Sequence, residues 1–175
     1  MQYLLNAVIS PDSKFVLAEV NTGWNHVWLL DLETGKVNKA LVERGVSGAR
    51  GLAFSSDSRL AAYVDVKLVE ENGRFLTMGK LLVYDLVEGK ELTSIDLDLK
   101  QGNVNTLTFS LDSSLIAAGT FDGKVSIYDV GTGEQVHSWY AHTGVVSDLN
   151  FSPDGTWLLT AGGMDENIKL WTVLP

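Results

Sequence analysis

The histidines and one pair of aspartates are the first candidates in this chain for catalysis or metal binding. The three histidines, His26, His137 and His142, stand in different sequence contexts, and no two have the spacing of metal ligands. Asp96 and Asp98 lie two residues apart on a predicted strand, a pattern typical of a solvated face. No nucleophile elbow or phosphate-binding glycine motif is present. We therefore predict no catalytic residue, no cofactor, no metal site and no enzyme.

A phrase that recurs four times predicts the elements that position these residues. It runs from a Ser to an Asp two residues later and separates two alternating apolar runs. Its copies start at Ser10, Ser55, Ser110 and Ser152, at intervals of 45, 55 and 42 residues. A second phrase, Asp-x-x-x-Gly, starts at Asp31, Asp85 and Asp129. A period of roughly 40–45 residues with about four strands per unit indicates a propeller. We predict an all-β propeller of four-stranded antiparallel blades.

The predicted boundaries describe one propeller segment over residues 1–175. Its blades are expected at about 1–42, 43–98, 99–140 and 141–175. The second blade is longer because residues 66–80 are predicted to form an inserted hairpin around the turn signal Glu71-Asn-Gly-Arg74. The last blade contains three predicted strands, so we expect it to lack its outer strand.

Composition excludes several functional classes. The chain has 13 basic and 22 acidic residues, giving a net charge of −9, and such a surface repels nucleic-acid backbones. No apolar segment approaches the roughly 20 residues that cross a bilayer. The absence of cysteine suits a reducing compartment. We expect a cytoplasmic protein with no nucleic-acid or membrane partner.

The last unit carries the most specific motifs. It contains Ala141-His-Thr-Gly144, Leu149-Asn-Phe-Ser-Pro-Asp-Gly155 and Ile168-Lys-Leu-Trp171. These motifs resemble the repeats of the WD-repeat β-propeller family. Blades of that family use a His, a Ser or Thr, an Asp and a Trp as a hydrogen-bonded brace. The resemblance implies that the brace here consists of His142, Thr160, Asp165 and Trp171.

The earlier units depart from this pattern. The third unit keeps Asp122, but Lys100, Ala118 and Tyr128 stand where the His, the hydroxyl and the Trp would be. In the last unit, one extra residue before Asp165 predicts a bulged turn. The spacing of the units therefore resembles that family over nearly the whole chain, whereas the family's specific motifs are present over about residues 141–171.

Three assemblies are compatible with a fourth blade of three strands. The chain could be the C-terminal half of a seven- or eight-bladed propeller, or two copies could complete one eight-bladed ring. It could also be a closed four-bladed ring. A second copy or another propeller half is therefore an expected partner.

The resemblance implies a protein-interaction scaffold that binds a protein or peptide at the loop-rich rim. The alternative is a non-catalytic propeller domain of a TolB-like or peptidase-type protein, which gates or binds substrate for another domain. A sequence fragment with no role of its own is a third reading. The partner-binding candidates are Trp24, Asn25, Arg50, Phe75, Met78, Lys100, Asn105, Phe121, Ser147 and Met164.

Overall fold

The computed structural model describes residues 3–45, 51–71, 73–98 and 103–173. All regular structure in these ranges is β-strand. The strands are β1 Tyr3–Ile9, β2 Phe15–Asn21, β3 Asn25–Asp31, β4 Val37–Gly45, β5 Leu52–Phe54, β6 Leu60–Glu71, β7 Arg74–Asp85, β8 Lys90–Leu97, β9 Val104–Phe109, β10 Leu115–Thr120, β11 Lys124–Asp129, β12 Gln135–Tyr140, β13 Val146–Phe151, β14 Trp157–Gly162 and β15 Ile168–Thr172.

The strands form four antiparallel sheets in which sequence neighbours pair. Blade 1 is β1–β4, blade 2 is β5–β8, blade 3 is β9–β12, and blade 4 is β13–β15. The all-β propeller prediction is confirmed. Within the described residues, blade 4 has three strands, so its outermost strand β15 has a free edge, as expected from the sequence.

The repeated Ser-x-Asp phrase forms the turn between the first and second strands of every blade. In blade 3, the Ser110 hydroxyl donates to Asp112 at 2.6 Å and accepts the Leu115 backbone N–H at 2.9 Å. The same pair of bonds closes the turns at Ser10 and Ser152. The phrase therefore recurs because each turn needs a short side chain that pairs its backbone donors.

Three apolar clusters hold the blades together, and each lies between consecutive blades. One joins blades 1 and 2 around Leu17 and Tyr63, and the next joins blades 2 and 3. The last joins blades 3 and 4 around Ile127 and Leu158. None of these clusters of described residues includes both blade 1 and blade 4. The outward faces of those two blades expose large apolar side chains, including Ile168 of β15.

The hairpin predicted at 66–80 is a continuation of two blade strands. Strands β6 and β7 each have 12 residues and stay in unbroken register from Leu60↔Asp85 to Glu71↔Arg74. The distal half of this ribbon is exposed, whereas Val66 at its base is buried. It projects from the same edge of the molecule as the other loops between second and third strands.

Candidate functional site

The four brace residues of blade 4 form one hydrogen-bonded chain. Both carboxylate oxygens of Asp165 lie 2.9–3.0 Å from His142 Nδ1, and His142 Nε2 lies 2.8 Å from Thr160 Oγ1. The Trp171 indole N–H donates to the same hydroxyl at 3.0 Å. Strand β14 supplies Thr160, β15 supplies Trp171, and the loops that follow β12 and β14 supply the other two.

The Asp165 carboxylate determines where the ring hydrogen of His142 lies in the brace. The Asp165 carboxylate only accepts, so a hydrogen lies on His142 Nδ1; in the neutral tautomer that this selects, Nε2 accepts from the Thr160 hydroxyl. Burial acts to raise the pKa of Asp165, but hydrogen bonds from His142 and the Asn167 backbone outweigh it and hold that pKa below its usual value. The brace joins two loops to the sheet, and the polar side-chain atoms of its four residues are all hydrogen-bonded. Such a network is typical of a structural role.

Blade 3 stabilises the corresponding turn with a Thr–Asp pair that the sequence analysis did not predict. The Thr120 hydroxyl donates to Asp122 and accepts the Lys124 backbone N–H at 3.0 Å. Ala118 and Tyr128 are buried in the interface with blade 2, and Lys100 lies outside the described residues. A Thr two residues before an Asp in a tight turn is the signal that could have found this pair.

Four of the predicted partner-binding residues expose a bulky side chain at one edge of the molecule. The exposed fractions are 51% for Trp24, 49% for Met78, 42% for Phe121 and 77% for Met164. Trp24, Phe121 and Met164 follow the second strands of their blades, and Met78 lies on the β6–β7 ribbon. We call this set the rim patch.

Other candidates are engaged in the fold. Asn25 is buried and accepts a hydrogen bond from the Asn21 amide at 2.6 Å, and Asn105 donates to the Val146 carbonyl at 2.9 Å. Ser147 donates to the Ala161 carbonyl at 3.0 Å. These bonds align strands within blades 1 and 4 and link blade 3 to blade 4.

The remaining candidates fall outside what the structure describes. Arg50 lies outside the described ranges, and of Phe75 only the backbone, in β7, is described. Among the described residues, no three His, Asp or Glu side chains approach closely enough to hold a metal ion. The same ranges include no helix with the length and apolarity that a bilayer crossing requires.

The repeat sequence itself identifies the family. The model of the WD domain, G-beta repeat matches residues 90–129 and 133–172. This chain belongs to the WD-repeat β-propeller family. Each matched repeat begins at the outer strand of one blade, β8 or β12, and ends with the third strand of the following blade, β11 or β15. A WD repeat in this protein therefore spans parts of two blades.

Several WD-repeat proteins are similar to this chain. WD repeat-containing protein SL1-17 of Schistosoma mansoni is 30% identical over 95% of this chain and 50% of its own length. WD repeat-containing protein 91 of Bos taurus is 30% identical over 66% of this chain and 16% of its own. Apoptotic protease-activating factor 1 of Homo sapiens is 41% identical over 42% and 6%. The chain thus spans half or less of each of these relatives.

Proposed function

We propose that this WD-repeat chain is a rigid scaffold that binds a protein or peptide through the rim patch, defined above as Trp24, Met78, Phe121 and Met164. The exposure of these four side chains at one edge of the blades is the observation that carries the proposal. Aromatic and Met side chains are enriched in interface centres, where a few residues supply most of the binding free energy. Their burial under a partner would remove them from water.

The rim patch has a stable support. The Phe121 backbone N–H donates to the Asn103 carbonyl at 3.0 Å, and that of Gly163, beside Met164, donates to the Val145 carbonyl at 2.9 Å. A side-chain Cβ at Gly144 would lie within 2.6–2.9 Å of Met164, so glycine there lets the two loops approach. A prearranged surface loses little conformational entropy when a partner binds.

The net charge of −9 favours a neutral or basic partner segment. Attraction between an acidic protein and a basic peptide decreases with salt, because ions screen exposed charges over about 8 Å at physiological ionic strength. Binding through the rim patch should therefore retain an apolar component that high salt does not remove.

A random peptide library displayed on phage, selected against the 175-residue protein, tests this proposal. Selected peptides should bind Phe121→Ala and Met164→Ala at least tenfold more weakly than the unchanged protein, as measured by calorimetry. Leu111→Ala is the matched control, because Leu111 is also exposed but lies in the Ser-x-Asp turn at the opposite edge of blade 3. Peptides that respond to Leu111→Ala and not to the two rim variants would refute the proposal.

We also propose that blade 4 packs its outward face against a further blade. Leu159 and Leu170 of that face hold the positions of Ala117 and Ile127 in blade 3, as the equivalent strand pairings Leu159↔Leu170 and Ala117↔Ile127 show. In blade 3 both residues are buried against blade 4, whereas Leu159 and Leu170 are exposed. The face therefore has the sequence character of an interior surface.

Blade 1 offers a matching surface for a second copy. Its outward face includes Val16 and Leu30, which pair with each other across β2 and β3. The equivalent pair in blade 2 is Ala61 and Tyr84, and these two residues pack against blade 1. Two copies joined by a two-fold axis would pair both faces in one eight-bladed ring. Light scattering should give twice the chain mass, and Leu170→Lys should return the monomer. A well-folded monomer with exposed faces would contradict the second-copy assembly.

A further inference from the structure

We propose that a cavity between blades 2 and 3 binds an aromatic side chain of a peptide partner. This inference rests on the proposed scaffold function and adds to the rim patch a second binding site, which lies between two blades. The cavity has a volume of about 410 Å³, within the range of about 300–1,000 Å³ that is usual for ligand pockets. It is open to solvent at the outer side of the two blades.

The cavity has an apolar floor and polar walls. Ile95 of β8, Val104 of β9 and Ala118 of β10 form the floor, and all three are buried. The Tyr128 ring and the Ser126 hydroxyl form one wall. Burial raises the pKa of Tyr128, so its phenol stays neutral and can donate or accept a hydrogen bond.

The interface between blades 3 and 4 shows which side chain this space suits. In blade 2, Ile95 of β8 pairs with Leu81 of β7. The equivalent pair in blade 3 is Trp139 with Val125, so Ile95 holds the position of Trp139. Trp139 packs against Trp171, with their ring centroids 5.3 Å apart at an interplanar angle of 58°. Blade 2 therefore has an isoleucine where blade 3 projects an indole into the interface.

The facing blade is also smaller at this interface. Tyr128 pairs with Ile116 as Trp171 pairs with Leu158, so Tyr128 replaces the indole of blade 4. Two residues before these aromatics, Ser126 replaces Lys169. At the hydroxyl position of the brace, Ala118 replaces Thr160. The smaller side chains account for the open volume, because none of the described residues occupies the space left by the indole.

The corresponding space between blades 1 and 2 is occupied by this chain's own residues. Tyr63 stands at the position of Ala118 and is buried in the cluster between these blades. The Lys39 ammonium lies 4.4 Å from the Tyr84 ring centroid and donates to its phenol at 2.6 Å. Bulky or aromatic groups thus fill the equivalent region in both neighbouring interfaces.

An incoming indole or phenol ring would complete the blade 2–3 interface in the same way. It would pack against Tyr128 as Trp139 packs against Trp171, at the 4.5–7 Å centroid separations that favour aromatic pairs. The hydroxyl groups of Ser126 and Tyr128, which also line the cavity, supply oxygen acceptors for its N–H or O–H group. The cavity therefore favours Trp or Tyr over an aliphatic side chain of similar size.

The test uses N-acetyl-L-tryptophanamide as the probe and ¹⁵N NMR titration of the 175-residue protein as the readout. We expect saturable shifts of the backbone amides of Ile95, Val104 and Ala118, and binding of N-acetyl-L-leucinamide at least tenfold weaker. Ile95→Trp, which copies the blade 3 residue into the cavity, should weaken probe binding at least tenfold. Equal binding of the two amides, or no saturable binding, would overturn the proposal.

A second pair of variants keeps the test valid if Ile95→Trp does not fold. Gln135 is exposed and lines the cavity, whereas His137 is exposed on the same strand away from it. Gln135→Trp should weaken probe binding at least tenfold and His137→Trp should leave it unchanged; equal effects would refute the site.

Variants of the rim patch show whether the cavity proposal or the rim-patch proposal has failed. Met164→Ala should not change probe binding, because Met164 is on blade 4. If rim-directed peptides bind and the probe does not, the cavity proposal fails alone. If the probe binds and no peptide responds to the rim variants, the rim proposal fails alone.

Discussion

Replacement of Thr160 by Val should destabilise blade 4 through two lost hydrogen bonds. The side chain is fully buried, and its hydroxyl links the His142 and Trp171 nitrogens in the brace. Valine keeps the shape but leaves His142 Nε2 and the indole N–H unpaired. Each buried polar group left without a partner costs about 1–3 kcal/mol. Because Trp171 is half-buried and water can reach part of it, we expect a total loss of about 2–4 kcal/mol.

The assay is urea unfolding followed by tryptophan fluorescence, because Trp139 and Trp171 lie in contact beside the brace. For a chain of this size, the expected loss corresponds to a decrease in Tm of about 5–15 °C. Thr160→Ser is the matched control. It retains the hydroxyl and removes one methyl group, so it should cost about 1 kcal/mol. A folded Thr160→Val protein as stable as Thr160→Ser would show that the hydroxyl does not bridge buried groups.

Two further predictions concern the turns. The Ser hydroxyl of each Ser-x-Asp turn holds the pKa of its Asp below the usual 3.8, so the folded protein binds these protons less tightly than the unfolded chain. Stability from these turns is fully present above about pH 5 and is lost as the pH falls through the lowered values. The urea midpoint should therefore decrease between pH 5 and pH 3, and the deficit of Asp112→Asn at pH 7 should shrink over that interval; a constant deficit would contradict this reasoning. Gly123 has φ of 92°, and a Cβ there would lie 2.0 Å from the His142 carbonyl oxygen, whereas Gly155 has φ of 72° and open space around it. Gly155→Ala should cost about 1–2 kcal/mol and Gly123→Ala at least twice as much by the same unfolding assay, and equal costs would mean that the loop moves away.

Local turn chemistry made the blade order predictable from sequence. In each Ser-x-Asp turn the Ser hydroxyl bonds to the Asp two residues on and to the backbone N–H five residues on, so most of the turn's pairing is local. Alternating apolar residues such as Leu107 and Phe109 then follow directly from the period of a strand. The four brace residues were predictable from the family resemblance, despite the extra residue before Asp165.

Contacts between units were less predictable. Asn105 stood as a candidate for a partner surface, and its amide also donates to the Val146 carbonyl of blade 4. This bond depends on the approach of the next blade, which sequence spacing alone does not define. The cavity beside Ala118 is a further case, since it arises from several small residues on two blades rather than from a motif.

The offset between repeat and blade has a consequence for how the molecule loses structure. Since one repeat runs from β8 to β11, melting it would strip blade 2 of its outer strand as well as removing three strands of blade 3. Neighbouring blades are thus interlocked by the chain itself in addition to their apolar contacts. Hydrogen exchange should therefore proceed as a linked series of openings that spreads from blade to blade, with β9 and β10 among the last amides to exchange.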